Sequence, residues 1–204
     1  MQYRSLQTVE SVPAVPLCAR RPREYPTLSK TDPADRVMVD FCRECAVTVE
    51  PHQHLDAALK QMQSAGVRAL LVIADGRVTG LVTAYDIQGE KPIQFAQSSD
   101  CIHHPKCRHE DVEVADIMTP LEKLPILRME ALATASVGHV LETFHHTGHT
   151  HLLVMESTSV GGVRIRGLIS HAQVERQLGI SPTTSALPQI EREIARLFPF
   201  VKST

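Results

Sequence analysis

Val67 to Ile87 reads VRALLVIADGRVTGLVTAYDI, and the rest of the chain is organised around it. Val67 to Ile73 is an apolar run of strand length. Asp75-Gly76 is the dipeptide favoured by a type I′ hairpin, whose central residues need positive φ. Val78 to Val82 is the return strand. Thr83-Ala84-Tyr85-Asp86 then places a hydroxyl and a carboxylate three residues apart, where a strand gives way to a helix. Backbone N–H groups are free at a helix start and can meet a phosphate. A nearby carboxylate can accept hydrogen bonds from a sugar diol. Thr-x-x-Asp is also close to a capping box, in which the two side chains only close the helix end.

The stretch recurs. Val140 to Val174 carries the same order of features, with Gly66 and Gly148 corresponding 82 positions apart. Leu59 matches Leu141, Leu70 and Leu71 match Leu152 and Leu153, and Val72 matches Val154. Gly80-Leu81-Val82-Thr83 matches Gly167-Leu168-Ile169-Ser170, with a longer second hairpin between. Upstream, Asp40-Phe41-Cys42-Arg43 is set against Asp116-Ile117-Met118-Thr119. An internal repeat decides architecture, so it is read first.

These residues resemble a known family. Two copies of an opening segment, helix, Gly, hairpin and G-h-h-(T/S)-x-x-D unit resemble a tandem pair of CBS domains, the cystathionine-β-synthase type of regulatory module. The resemblance rests on VADIMTP at Val114 to Pro120 together with GLVTAYD at Gly80 to Asp86, and it runs from about Asp35 to Gly179. It implies an α/β fold of two β-α-β-β-α repeats packed about a pseudo-twofold axis, with adenosine-containing ligands in clefts between them. Carried onto this chain, Asp86 would hold the ribose and Thr83 would lie near the phosphates. Leu81 would flank the base and Tyr85 would stand at the mouth. Val67, Arg68, His149 and Thr150 would contribute from the hairpin starts, and Pro125 and Ile126 from the other repeat. Arg68 is the natural phosphate partner, because a guanidinium binds two oxygens at once.

The second cleft departs from the pattern. Ala46, Val47, Leu168 and Ser170 would line it, but Gln173 stands where the carboxylate belongs. A neutral amide bonds a ribose without charge assistance, so this site should be weaker or empty. Cys42 and Arg43 would replace the usual Met-Thr of the first opening segment. No cofactor is required on this reading. AMP, ADP, ATP or S-adenosylmethionine is the regulatory ligand to expect, and the resemblance implies a homodimer that signals to a protein partner.

Composition narrows the alternatives. At 204 residues and 43% hydrophobic, the chain can bury a sizeable core. A net charge of −2 and the lack of Trp give no case for a nucleic-acid or membrane-surface partner. No apolar run approaches bilayer-spanning length, and the start of the chain lacks a signal-peptide pattern. Five cysteines are an odd number in a chain with a good core. That argues for reduced thiols in the cytoplasm.

In chain order, residues 1–34 form a Pro-rich arm, either packed on the module or on a partner, or a disordered tail. Residues 35–95 are the first repeat, with an amphipathic helix over 51–65 capped by Gly66. Residues 96–113 are a His/Cys-rich linker, and 114–180 are the second repeat, with its helix over 135–146. Residues 181–204 carry a last helix near Pro188 to Phe198. Cys101, His103, His104, Cys107 and His109 offer ligands at spacings zinc uses, and Cys42 and Cys45 form a C-x-x-C. No second knuckle of standard spacing follows, and an exposed polar loop accounts for the linker equally. Nothing marks a nucleophile elbow, a P-loop or a zincin helix, so no enzyme activity is expected. The alternative to a ligand sensor is an interaction module whose clefts are vestigial and whose arm and last helix do the binding.

Overall fold

A computed structural model describes residues 25–98, 111–159 and 161–180. The distal arm, the linker with its metal candidates Cys101, His103, Cys107 and His109, and the last helix lie outside the described residues.

The local signals are realised where the chain chemistry demands them. Helix α1 (Leu55–Ala65) buries Leu55, Ala58 and Met62 on one face and ends at Gly66, which adopts φ 67°. A left-handed cap of this kind is open to glycine because it has no Cβ to clash. Strands β3 (Ala69–Ala74) and β4 (Arg77–Thr83) form the first hairpin. Asp75 and Gly76 both have positive φ, 50° and 72°, as a type I′ turn requires. Helix α2 (Ala84–Gln88) is short and stops at Gly89; α3 (Lys91–Ala96) follows with Pro92 in its first turn.

The second unit repeats this plan. Helix α6 (Val137–Thr147) buries Val137, Val140, Leu141 and Phe144 and is capped by Gly148. It is followed by β7 (His151–Ser157), β8 (Val163–Ser170) and α7 (His171–Gln177). Backbone register proves the equivalence. Ala69 pairs with Thr83 as His151 pairs with Ser170, and the bulges at Val72/Ile73 and Val154/Met155 coincide. The Ala84 N–H donates to Arg68 O at 2.9 Å, and the His171 N–H to Thr150 O at 3.0 Å.

The opening segments are the correction. Strand β1 (Val39–Asp40) pairs with β8 and β5 (Thr119–Pro120) pairs with β4. Val39 faces Leu168 as Thr119 faces Leu81, so Val39 is the counterpart of Thr119 and Met38 of Met118. Arg36-Val37-Met38-Val39-Asp40 therefore matches Asp116-Ile117-Met118-Thr119-Pro120, four residues upstream of the expected alignment. The 3-10 turn Ala34–Val37 stands where α4 (Val114–Ile117) stands in the second copy. Cys42 and Arg43 do not replace Met-Thr. A shared Asp was the wrong anchor, because strand register follows the buried apolar face and not one surface carboxylate.

Each opening segment has crossed to the other repeat. The sheet orders are β1-β8-β7-β6 and β2-β3-β4-β5, where β2 is Thr48–Val49 and β6 is Ile126–Arg128. Leu28, Ala34 and Val37 belong to the core of the second unit with Leu132, Phe144, Leu152 and Ile169. Val112, Val114 and Ile117 belong to the core of the first with Met62, Leu70 and Val82. The proximal arm is thus packed: the Leu28 N–H donates to Gln177 O at 2.8 Å. A third cluster, Leu71, Leu81, Leu124 and Leu153, with Phe41 and Leu168 against it, joins the two sheets. A short helix not anticipated from the sequence, α5 (Met129–Ala133), buries Leu132.

Candidate functional site

The stretch Thr83 to Asp86 sits where β4 runs into α2. The Thr83 N–H and hydroxyl both donate to Asp86 Oδ2, at 2.8 and 2.7 Å, and the Asp86 N–H donates back to Thr83 Oγ1 at 3.1 Å. This is a closed capping box. The other oxygen, Asp86 Oδ1, takes the Lys91 ammonium at 2.6 Å. Lys91 also donates to Ile117 O at 3.1 Å and approaches Thr119 Oγ1 at 3.5 Å. Asp86 is 8% exposed, so its charge is held by its own chain, and Lys91 ties it to the opening segment of the other repeat.

His151 completes this group. Burial pushes its imidazole down to about 4; the Asp86 carboxylate opposes that shift and the Arg68 guanidinium adds to it. Both charges therefore reach His151 from the first repeat, across the boundary between the units. Its Nδ1 lies 3.0 Å from Thr150 Oγ1. His151 and Lys91 were not singled out from the sequence. The signal for His151 was available: it is the polar residue at the position where the first repeat has Ala69. Lys91 had none, because its value depends on a bond formed after the α2–α3 break.

Of the other expected residues, Arg68 stands beside this group: its carbonyl accepts the Ala84 N–H at 2.9 Å and its charge reaches His151. Leu81 is buried between the sheets and is not at a surface. Tyr85 is 83% exposed. Val67 packs on the first core. Arg68, Thr150 and His149 stand at the hairpin starts, with Arg68 and Thr150 exposed. Pro125 accepts the Leu153 N–H, and Ile126 lies in β6. Ile126 opens the edge strand of the second sheet, and Ile117 and Thr119 also approach the Asp86 group, through Lys91. On the second side, Ala46 and Leu168 pack between the sheets and Val47 accepts from Leu71. Ser170 is the N-cap of α7 but makes no side-chain cap bond.

The counterparts differ in charge. Where the first side has Arg68, Asp86, Thr119 and, from across, His151, the second has Thr150, Gln173, Val39 and Ala69. At the spacing of Lys91 after Asp86, Leu178 follows Gln173 and packs on the second core. A cavity of about 280 Å³ lies by the first opening segment, lined by Arg36, Met38, Asp40, Arg43 and Arg166 among others. A second of about 380 Å³ lies by Thr48, Gln53 and Asp75. Neither is lined by Thr83, Asp86 or Lys91.

Two acid-sensitive groups follow from this geometry. Arg166 forms a two-pronged pair with Asp40, at 2.6 and 2.9 Å, and bonds Glu156 at 2.7 Å. Hydrogen bonding to Arg166 holds the Asp40 carboxyl at about 2 against 3.8 unfolded. The unfolded chain thus binds this proton first. The contribution is whole above pH 3.8 and is lost as pH falls towards 2. For His151 the imidazole is the base, and its depressed value means the unfolded chain again binds the proton first. That contribution is whole above pH 6.5 and is lost as pH falls towards 4. Denaturant midpoints measured against pH should therefore fall in two windows. His151→Asn should flatten the upper one and Asp40→Asn the lower. An unchanged slope between pH 6.5 and 4 in His151→Asn removes the role assigned to that burial.

The sequence matches the family model of the CBS domain over residues 23–90. The match covers one third of the chain. That match starts upstream of the crossing segment, and the backbone register of the second unit repeats that of the matched one. Among solved structures, CBSX2, a CBS-pair protein from Arabidopsis thaliana, is 20% identical, with 80% of this chain and 99% of that chain covered and a TM-score of 0.46. CBSX2 in complex with AMP is 22% identical over 79% of this chain and 98% of that chain, TM-score 0.48. MJ1225 from Methanocaldococcus jannaschii, described as a putative archaeal homolog of g-AMPK, is 18% identical over 73% and 48%, TM-score 0.49. No curated protein sequence matches this chain. Among the described residues, no helix of it is long and apolar enough to cross a membrane, and no group of three or more His, Cys, Asp or Glu is placed to hold a metal ion.

Proposed function

We propose that this chain is a tandem CBS pair, a regulatory module that binds an adenosine-containing nucleotide on the Asp86 side of the inter-repeat boundary. The observation that carries the reading is the one-sided placement of charge. Asp86, Lys91 and Arg68 gather on one side with His151, while the equivalent side has Gln173, Leu178, Thr150 and Ala69. A pair of repeats that needed these groups only for folding would have no reason to charge one side alone. Lys91 and Arg68 outweigh Asp86, and His151 is neutral at pH 7. The excess is positive, which suits AMP, ADP or ATP better than the sulfonium of S-adenosylmethionine.

Lys91 occupies Asp86 Oδ1 in the free protein. A ribose diol must share or displace that ammonium, which also holds the other repeat through Ile117. Occupancy would then be felt at the repeat boundary. It can shift the balance only by its differential affinity for the two arrangements. Signalling would pass to a partner protein or to a second copy of the chain, for which Tyr85 and Ile93, 83% and 56% exposed, are available on α2 and α3. No catalytic step is assigned to these residues.

One observation favours the other reading, an interaction module with vestigial clefts: both Asp86 oxygens already have partners. Thermal unfolding with AMP, ADP, ATP and S-adenosylmethionine, each with and without Mg²⁺, separates the two. A ligand at a hundred times its Kd should add about 2.7 kcal/mol. Lys91→Met should weaken an anionic nucleotide about tenfold, equivalent to about 1.4 kcal/mol. No shift with any compound, in protein shown free of bound nucleotide, favours the interaction module.

A further inference from the structure

The C-x-x-C of Cys42 and Cys45 is used by neither the fold nor the nucleotide reading. It lies on the crossover that carries the chain from β1, in the second sheet, to β2, in the first. The equivalent crossover runs from β5 to β6. Register fixes both ends: Asp40 and Pro120 pair with Gly167 and Gly80, and Val47 and Pro125 accept from Leu71 and Leu153. Six residues, 41–46, lie between these points in the first copy and four, 121–124, in the second. The two-residue excess falls in the segment that carries the cysteine pair.

The ends of this segment are held. Phe41 and Ala46 pack between the sheets, and the Phe41 N–H donates to Arg166 O at 2.9 Å. The Arg43 and Glu44 N–H groups both donate to Asp40 O at 2.9 Å, and the Cys42 N–H donates to Asp40 Oδ1 at 2.9 Å. Between these anchors both cysteines are free thiols and exposed. Arg164 Nη2 lies 3.9 Å from Cys42 Sγ. Thiol–disulfide exchange proceeds through the thiolate, and a guanidinium beside the sulfur stabilises the charge it must carry.

We propose that Cys42 and Cys45 are a reversible dithiol site for small-molecule disulfides of the glutathione type. Cys42 Sγ, as thiolate, attacks one sulfur of the disulfide, forming a mixed disulfide and releasing one thiolate. Cys45 Sγ then attacks the Cys42 sulfur, closing the protein disulfide and releasing the second. Two protein thiols are oxidised and one small disulfide is reduced to two thiols, which take up the two protons. Arg164 is a positioning residue for the first step. The closed ring restrains the longer of these two crossovers, and so stiffens the connection between the units.

The test uses the full chain equilibrated in buffers of oxidised and reduced glutathione, quenched in acid, alkylated and mapped by peptide mass. Cys42 and Cys45 should lose alkylation together, in a peptide lighter by two hydrogens, and regain it with dithiothreitol. Cys45→Ser should trap glutathione on Cys42. Arg164→Gln should form that adduct several-fold more slowly, with Cys45 in the Cys42→Ser variant unaffected by the same change. The proposal is overturned if both thiols remain fully alkylated in oxidised glutathione alone. It is overturned equally if Cys42 pairs with Cys18, Cys101 or Cys107 in preference to Cys45, or if the native mass carries zinc whose chelation is what exposes the pair.

Discussion

Gly167→Ala should destabilise the protein by about 1–3 kcal/mol or more, among the largest losses expected from a single added methyl group here. A Cβ at Gly167 would lie 2.6 Å from Val39 O and 2.6 Å from the Met38 side chain. A methionine can swing away, but the Val39 carbonyl is backbone in β1, so the crossing strand itself must lift. Lifting β1 draws Asp40 from Arg166, breaking a two-pronged charged pair. The first repeat shows the same constraint: a Cβ at Gly80 would lie 2.7 Å from Thr119 O and 2.9 Å from Met118 Sδ. Glycine is needed at both sites for space and not for an unusual φ. Gly66→Ala is the control. Nothing lies within 4 Å of its Cβ position, and only the φ of 67° resists, costing about 1 kcal/mol. Urea unfolding of the variants gives the comparison. A loss below about 0.5 kcal/mol in Gly167→Ala would mean that β1 is not held against β8 as described.

Substitution of Asp86 should separate binding from capping. Asp86→Ala should abolish nucleotide stabilisation while the free protein stays folded, though less stable. Alanine removes the acceptor of the Thr83 N–H and hydroxyl and leaves Lys91 without its carboxylate. Losing such a cap costs about 1–2 kcal/mol before any ligand is added. Asp86→Asn keeps an oxygen for Thr83 but sets an amide –NH2 against Lys91 in place of an acceptor, and Lys91, 43% exposed, can turn to solvent. The variant should unfold within about 1 kcal/mol of the wild type, while the stabilisation by AMP, ADP or ATP falls by at least the equivalent of tenfold in affinity, about 1.4 kcal/mol. If Asp86→Asn responds to nucleotide as the wild type does, the ligand is held elsewhere or not at all, and Asp86 is only a cap.

The linked fate of the two repeats has a further consequence. A fragment that begins at residue 111 lacks Leu28, Ala34 and Val37, which lie in the core of the second unit. Burial of a Leu or Val side chain is worth about 1.5–3 kcal/mol each, a large part of the stability of a unit this size. Such a fragment should not give a cooperative transition by itself, and adding residues 25–40 should restore it.

Local chemistry was written plainly in the chain. The helix stripe of Leu55, Ala58 and Met62, the caps at Gly66 and Gly148, and the Asp75-Gly76 turn are all decided within a few residues of themselves. The repeat was legible for the same reason, since two copies of one local pattern need no knowledge of contacts. The opening segments correspond at Met38 and Met118, four residues from the correspondence that the shared Asp suggests. Surface carboxylates are free to drift, whereas Met38 and Met118 are placed against Gly167 and Gly80.

By itself the sequence determined the elements, their order, their duplication and the ambiguity of Thr83-x-x-Asp86 between cap and ligand site. Only the tertiary structure decided that each opening segment crosses to the other repeat, that Lys91 holds Asp86, and that His151 faces the charges of the other unit. The physical reason is distance along the chain. Caps and turns are closed by neighbours three or four residues away, but β1 meets β8 across 129 positions of chain at Val39 and Leu168. No periodicity records such a pairing, because it is chosen by which apolar surfaces remain to be covered once every local element has formed.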